Sequence, residues 1–122
     1  MDNLKINQFE IRVSTPDNGD ELLLIWEGII QESNPAEFLD PFLEKTLDYS
    51  EKNSLKMICD FRKLKYMNSS SIPPLIHLLR KLSEKKIYAE FIYDKNRKIQ
   101  IASFKALNVI AKKTEFVLLI GK

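Results

Sequence analysis

The chain predicts a single α/β domain over residues 1–122: a mixed, mostly parallel sheet with an N-terminal antiparallel strand, in the order β-β-α-β-α-β-α-β. Three observations carry this. Short apolar segments at residues 9–14, 22–26, 57–61, 87–93 and 116–120 have strand character, and amphipathic stretches of helical period separate all but the first two. No repeat, linker or low-complexity segment divides the chain. After the opening hairpin the alternation is strict, which calls for parallel strands joined by right-handed crossovers.

The elements follow in order. Residues 9–14 alternate apolar and polar, as a half-exposed strand does; Pro16, Asn18 and Gly19 mark a turn over residues 15–20. Leu22 to Trp26 is a near-continuous apolar run, expected antiparallel to the first strand. Asn34 offers a helix cap, Pro35 tolerates the first helical position, and Glu37 completes a capping box. Phe38, Leu39, Phe42, Leu43, Thr46 and Tyr49 then share one helical face, with Pro41 expected to bend the helix or mark a restart capped by Asp40. Met57 to Phe61 is a buried strand. Residues 75–85 form a helix with Leu75, Ile76, Leu79 and Leu82 inward. Residues 97–113 form the last helix. On it Ile99, Ala102, Ala106, Val109 and Ile110 cluster on one side, with Leu107 nearby, and Ile101 and Phe104 fall toward the polar side.

Length and composition bound the function. A chain of 122 residues buries one core without staples. The single cysteine, Cys59, excludes a disulfide or zinc framework. The start, Met-Asp-Asn-Leu-Lys-Ile, lacks the order of a signal peptide, and no apolar run reaches membrane-spanning length. A cytoplasmic protein without membrane attachment is expected. Residues 1–61 hold 5 Lys/Arg against 13 Asp/Glu and residues 62–122 hold 14 against 4, so the halves carry about −8 and +10. The basic residues form no helix with interleaved aromatics, so nucleic acid is not expected as a partner.

Catalytic constellations are thin. His77 is the only histidine and points away from its helix's apolar face. Cys59 sits inside a strand with no basic neighbour to activate it. There is no nucleophile elbow, phosphate loop or dinucleotide fingerprint, and no cofactor or metal is expected. The one concentrated signal is Asn68-Ser69-Ser70-Ser71, between a buried strand and a helix. Serines there serve as caps in many helices. Here Pro73 and Pro74 lack the N–H groups a Ser71 cap would bond. The helix is therefore expected to start late, near Pro74, with the serines on a preceding loop and no anion cradle.

The stretch Met57 to Ile72 resembles the signature of STAS domains, the anti-sigma factor antagonist family. That signature is an apolar strand ending in Asp, a few residues, an apolar pair, then Asp-Ser-Ser-Gly or Asn-Ser-Ser-Gly opening a helix. The predicted element order matches that fold along nearly the whole chain. Asn68 stands where the best-known members have Asp, and Ser71 where they have Gly. The resemblance implies a non-enzymatic bacterial regulator of signal transduction and transcription. It makes Ser69 the phosphorylated serine, Ser70 the alternative acceptor, and Asp60 the strand-end acid supporting the loop. Its implied partners are a serine kinase of the anti-sigma factor type and a PP2C-type phosphatase. The expected partner surface comprises Asn68, Ser69, Ser70, Ser71, His77 and Lys81. Two alternatives stay open: a constitutive scaffold or homodimerisation module, and a small α/β enzyme using Asp60.

Overall fold

Period-two alternation places Phe9 and Ile11 in the core and Arg12 outside, and this segment forms β2 (Phe9–Ser14). It pairs on one side with a short strand that the sequence does not announce, β1 (Leu4–Ile6). On the other it pairs antiparallel with β3 (Glu21–Ile30). The chain then alternates through α1 (Ala36–Lys52), β4 (Lys56–Met67), α2 (Ile72–Glu84), β5 (Ala89–Tyr93), α3 (Lys98–Ala111) and β6 (Val117–Gly121). The computed structural model describes residues 1–15 and 19–122; Pro16 and Asn18, expected in a turn, lie outside them.

The six strands lie in sequence order, β1-β2-β3-β4-β5-β6, with β3 to β6 mutually parallel. Each crossover therefore steps the same way across the sheet, and right-handed connections lay all three helices on one face. The core fills the space between. Trp26 meets Phe61 at 4.7 Å between ring centroids, and Phe61 meets Phe104 at 4.9 Å and Phe91 at 5.5 Å. Such tilted pairs add about 0.5–1.5 kcal/mol each beyond area burial. The opposite sheet face carries aliphatics too, among them Ile58 and Ile92, fenced by the Lys56–Glu90 and Asp60–Arg62 ion pairs.

Local expectations are revised in four places. The capping box at Asn34 does not form: α1 begins at Ala36, and neither Asn34 nor Pro35 makes a side-chain cap bond. Pro41 sits inside an uninterrupted α1; it is exposed, so the carbonyl it leaves without a donor faces water. Leu78 joins Leu75, Leu79 and Leu82 in the core. The last revision concerns α3. Its buried residues are Gln100, Phe104, Leu107 and Ala111, whereas Ile99 is 57% and Val109 61% exposed. The helix has two apolar faces, and the inward one is chosen by Phe104, which stacks on Tyr93 (5.3 Å, 10°) and packs on Phe61.

Gly28 marks the point where β3 changes register with β4. Its φ of +92° suits glycine, and a Cβ there would stand 1.9 Å from the Gln8 carbonyl oxygen. Gly28→Ala is expected to destabilise the fold by about 2–4 kcal/mol, read as a lower urea midpoint with unchanged slope.

Candidate functional site

β4 is much longer than its apolar run suggests. It pairs with β5 only as far as Asp60, opposite Ile92, but stays with β3 to Met67. Beyond Asp60 one edge of β4 has no strand neighbour among the described residues. Buried or half-buried carbonyls there need donors, and the start of α3 supplies them. The Gln100 Nε2 amide donates to the carbonyls of Phe61 (2.7 Å) and Leu64 (2.9 Å), while its Oε1 accepts the Asp94 N–H (2.8 Å). Arg97 donates to the carbonyls of Leu64 (2.9 Å), Lys65 (2.8 Å) and Arg62 (3.3 Å). Sequence reasoning misses both residues, because their partners on β4 lie more than thirty positions away.

This arm delivers the chain to Asn68. The Asn68 N–H donates to the Ile30 carbonyl (3.1 Å), and its side-chain amide donates to the Glu32 carbonyl (2.8 Å). Its Oδ1 accepts the Ser71 hydroxyl (3.0 Å), and its carbonyl accepts the Ser71 N–H (3.0 Å). Asn68 thus ties the end of β4 to the loop after β3 and closes the tight turn Ser69–Ser71. Glu32 is itself held by the Asn7 amide at 3.1 Å, and that donor lowers its carboxyl below the ordinary range against a smaller opposing effect of burial.

The turn separates the three serines. Ser69 and Ser70 are exposed; Ser71 is 1% exposed and its hydroxyl is engaged. Ser71 therefore leaves the expected partner surface and becomes part of the support, because a polar side chain in the interior keeps its hydrogen bond. Helix α2 starts directly at Ile72 rather than near Pro74. Pro73 and Pro74 fit because first-turn N–H groups have no intrahelical acceptor to lose. The exposed side of α2 presents His77, and Lys81 is half-buried beside Glu84 at 3.6 Å.

Asp60 stands apart. It is not the last residue of its strand, and it reaches none of Asn68 to Ser71. Instead Arg62 donates from Nε to Oδ1 (3.0 Å), from Nη2 to Oδ2 (2.7 Å) and from its backbone N–H to Oδ1 (3.0 Å). Burial alone would raise the Asp60 carboxyl, but these donors and the charges of Arg62 and Lys122 outweigh it, so the pKa lies below the usual range. A cleft of about 650 Å³ nearby is lined by Arg62, Lys63, Glu27 and Gly28, without Asp60. Burial pushes the Cys59 thiol well above its ordinary pKa, so it stays protonated and unreactive. Among the described residues no cluster of His, Cys, Asp and Glu is placed to hold a metal ion, and no helix is long and apolar enough to cross a membrane.

The chain matches no protein-family model and no curated protein. Solved structures share its fold, among them two from Pseudomonas aeruginosa. One is described as SiaC of Pseudomonas aeruginosa, 19% identical, with a TM-score of 0.55 over 98% of each chain. The other is a chain from the crystal structure of the diguanylate cyclase SiaD in complex with its activator SiaC, from the same organism. It is 17% identical, with a TM-score of 0.60 over 98% of this chain and 97% of that one. At these identities the likeness is one of fold: a six-stranded, mostly parallel sheet with three helices.

Two outcomes test the site's framework. Gln100→Leu strands the Phe61 carbonyl and the Asp94 N–H and leaves the Leu64 carbonyl to Arg97 alone. It should cost about 2–4 kcal/mol and strip hydrogen-exchange protection from residues 62–67 before the rest of β4. The depressed Asp60 pKa stabilises the fold at neutral pH, and that contribution is lost as pH falls through the folded value. Asp60→Asn should therefore lower stability by about 1 kcal/mol or less at pH 7, since Arg62 is partly exposed. It should also lose less further stability than the parent between about pH 5 and pH 3 in urea titrations.

Proposed function

We propose that the protein is a non-enzymatic regulator that binds protein partners through Asn68, Ser69, Ser70 and the exposed side of α2 around His77 and Lys81. Phosphorylation of Ser69, or of Ser70 beside it, switches that binding. The observation that carries the reading is the division of labour in the turn. Asn68 and Ser71 are consumed in holding it, which leaves two adjacent hydroxyls in solvent on a rigid support.

The helix start explains how such a switch would act. The Ser71 N–H is bonded to Asn68 and the Ile72 N–H to Ser69, and Pro73 and Pro74 have none. A phosphate on Ser69 or Ser70 finds no donor from Ser71 to Pro74, and only the N–H groups of Ser69 and Ser70 are left to it, fewer than an anion meets at an ordinary helix start. Its charge, about −1.5 to −2, stays at the surface and acts on whatever docks there by repulsion and desolvation. The resemblance to anti-sigma factor antagonists supports a serine kinase and a PP2C-type phosphatase as the enzymes that write and erase it. A protein of this fold is the activator of a diguanylate cyclase in a solved complex, which supports protein binding as the use of the scaffold.

Affinity purification from the native host with phosphosite mapping tests this. Phosphate is expected at Ser69 or Ser70, and Ser69→Asp should weaken capture of at least one partner about tenfold or more while Ser69→Ala retains it. Absence of phosphate throughout residues 69–71, with partners indifferent to both substitutions, would establish constitutive binding instead.

A further inference from the structure

The inward face of α3 leaves a second apolar face that none of the described residues covers. Ile99 and Val109 are more than half exposed, and Ala102 and Ala106 are exposed between them. At 100° per residue, Ile99, Ala102, Ala106 and Val109 form one stripe along the helix, opposite Gln100, Phe104, Leu107 and Ala111. Lys98, Lys105 and Lys112, seven residues apart, run along one flank, and residues 97–113 contain no Asp or Glu. Large exposed aliphatics in one line, bordered by one sign of charge, mark an interaction surface rather than scattered exposure.

We infer that this face of α3 docks an acidic amphipathic helix of a protein partner, at a surface separate from the serine turn. The alanines at the centre of the stripe let a second helix approach closely, while Ile99 and Val109 hold its two ends. Glutamates or aspartates flanking the partner's own apolar stripe would meet the lysine row.

Two other occupants fit less well. A membrane surface would want bulky or aromatic residues to insert, and the centre of this stripe is alanine. A second copy pairing α3 antiparallel about a two-fold axis would set both lysine rows along the same side of the contact, where they repel. The acidic ridge of α1, formed by Glu37, Asp40, Glu44, Asp48 and Glu51, offers the charge but no aliphatic residue to cover Ile99 and Val109.

The test uses the full chain and a stapled helical peptide with Leu and Ala on one face and Glu along its flanks. A Lys-flanked version and vesicles of mixed zwitterionic and anionic phospholipid serve as competitors. The Glu peptide should bind about tenfold or more tightly than the Lys peptide, the increment expected of roughly three exposed charge pairs. Rising salt should weaken it, and the double substitution Ile99→Asp, Val109→Asp should abolish it. Those positions are exposed, so circular dichroism should show the fold intact, and Ser69→Asp should leave peptide binding unchanged. Failure of the Glu peptide to bind, or binding insensitive to the double substitution, would overturn the proposal. So would vesicle binding in place of peptide binding, or self-association in sedimentation that the double substitution removes.

Discussion

The structure turns on the side-chain amide of Gln100. Parallel strands β4 and β5 part company after Asp60, and from there β4 runs on with one edge bare. An amide with two donors and an acceptor, set 5% exposed at the start of α3, closes that edge and fixes the entry to the helix at once. Arg97 completes the closure toward solvent. Without these donors the arm from Arg62 to Met67 would expose or orphan its carbonyls, and a segment with unpaired backbone frays first.

Both surfaces of interest follow from that contact. At the far end of the arm, Asn68 is carried to within reach of Glu32 and pins the serine turn. On the helix itself, turning Gln100 inward brings Phe104, Leu107 and Ala111 inward at helical spacing, and so turns Ile99 and Val109 out. Gln100 thus supports the presentation of a pair of hydroxyls and, together with the ring contacts of Phe104, sets the orientation of an apolar stripe. The charge asymmetry of the sequence resolves in the same frame: α1 carries an acidic outer ridge, α3 a basic one, and α2 lies between them.

The serine turn also shows how local chemistry can keep a helix start from capturing anions. Prolines at the second and third positions remove donors, and the Ser71 and Ile72 N–H groups are spent on closing the turn. The consequence is a helix start with fewer donors for an anion than usual, beside two exposed hydroxyls.

The element order, the antiparallel hairpin, the parallel crossovers and the inward faces of α1 and α2 were legible in residues 9–93, because each has one apolar face with one period. So was the serine cluster as a place of interest. Other features were not legible. β1 is three residues long and held only by its pairing with β2. The outer half of β4 reads as polar loop, since Arg62, Lys63 and Lys65 face solvent and its bonds come from distant residues. The inward face of α3 could not be read from spacing, because the helix carries two apolar stripes. By itself the sequence determined the succession of the main strands and helices and which three serines gather between two of them, since propensity and hydrophobic period are local. Only the tertiary structure decided that Ser71 is support while Ser69 and Ser70 are surface, that Asp60 belongs to Arg62, and which stripe of α3 is buried. Those outcomes rest on hydrogen bonds and ring contacts between residues far apart in the chain.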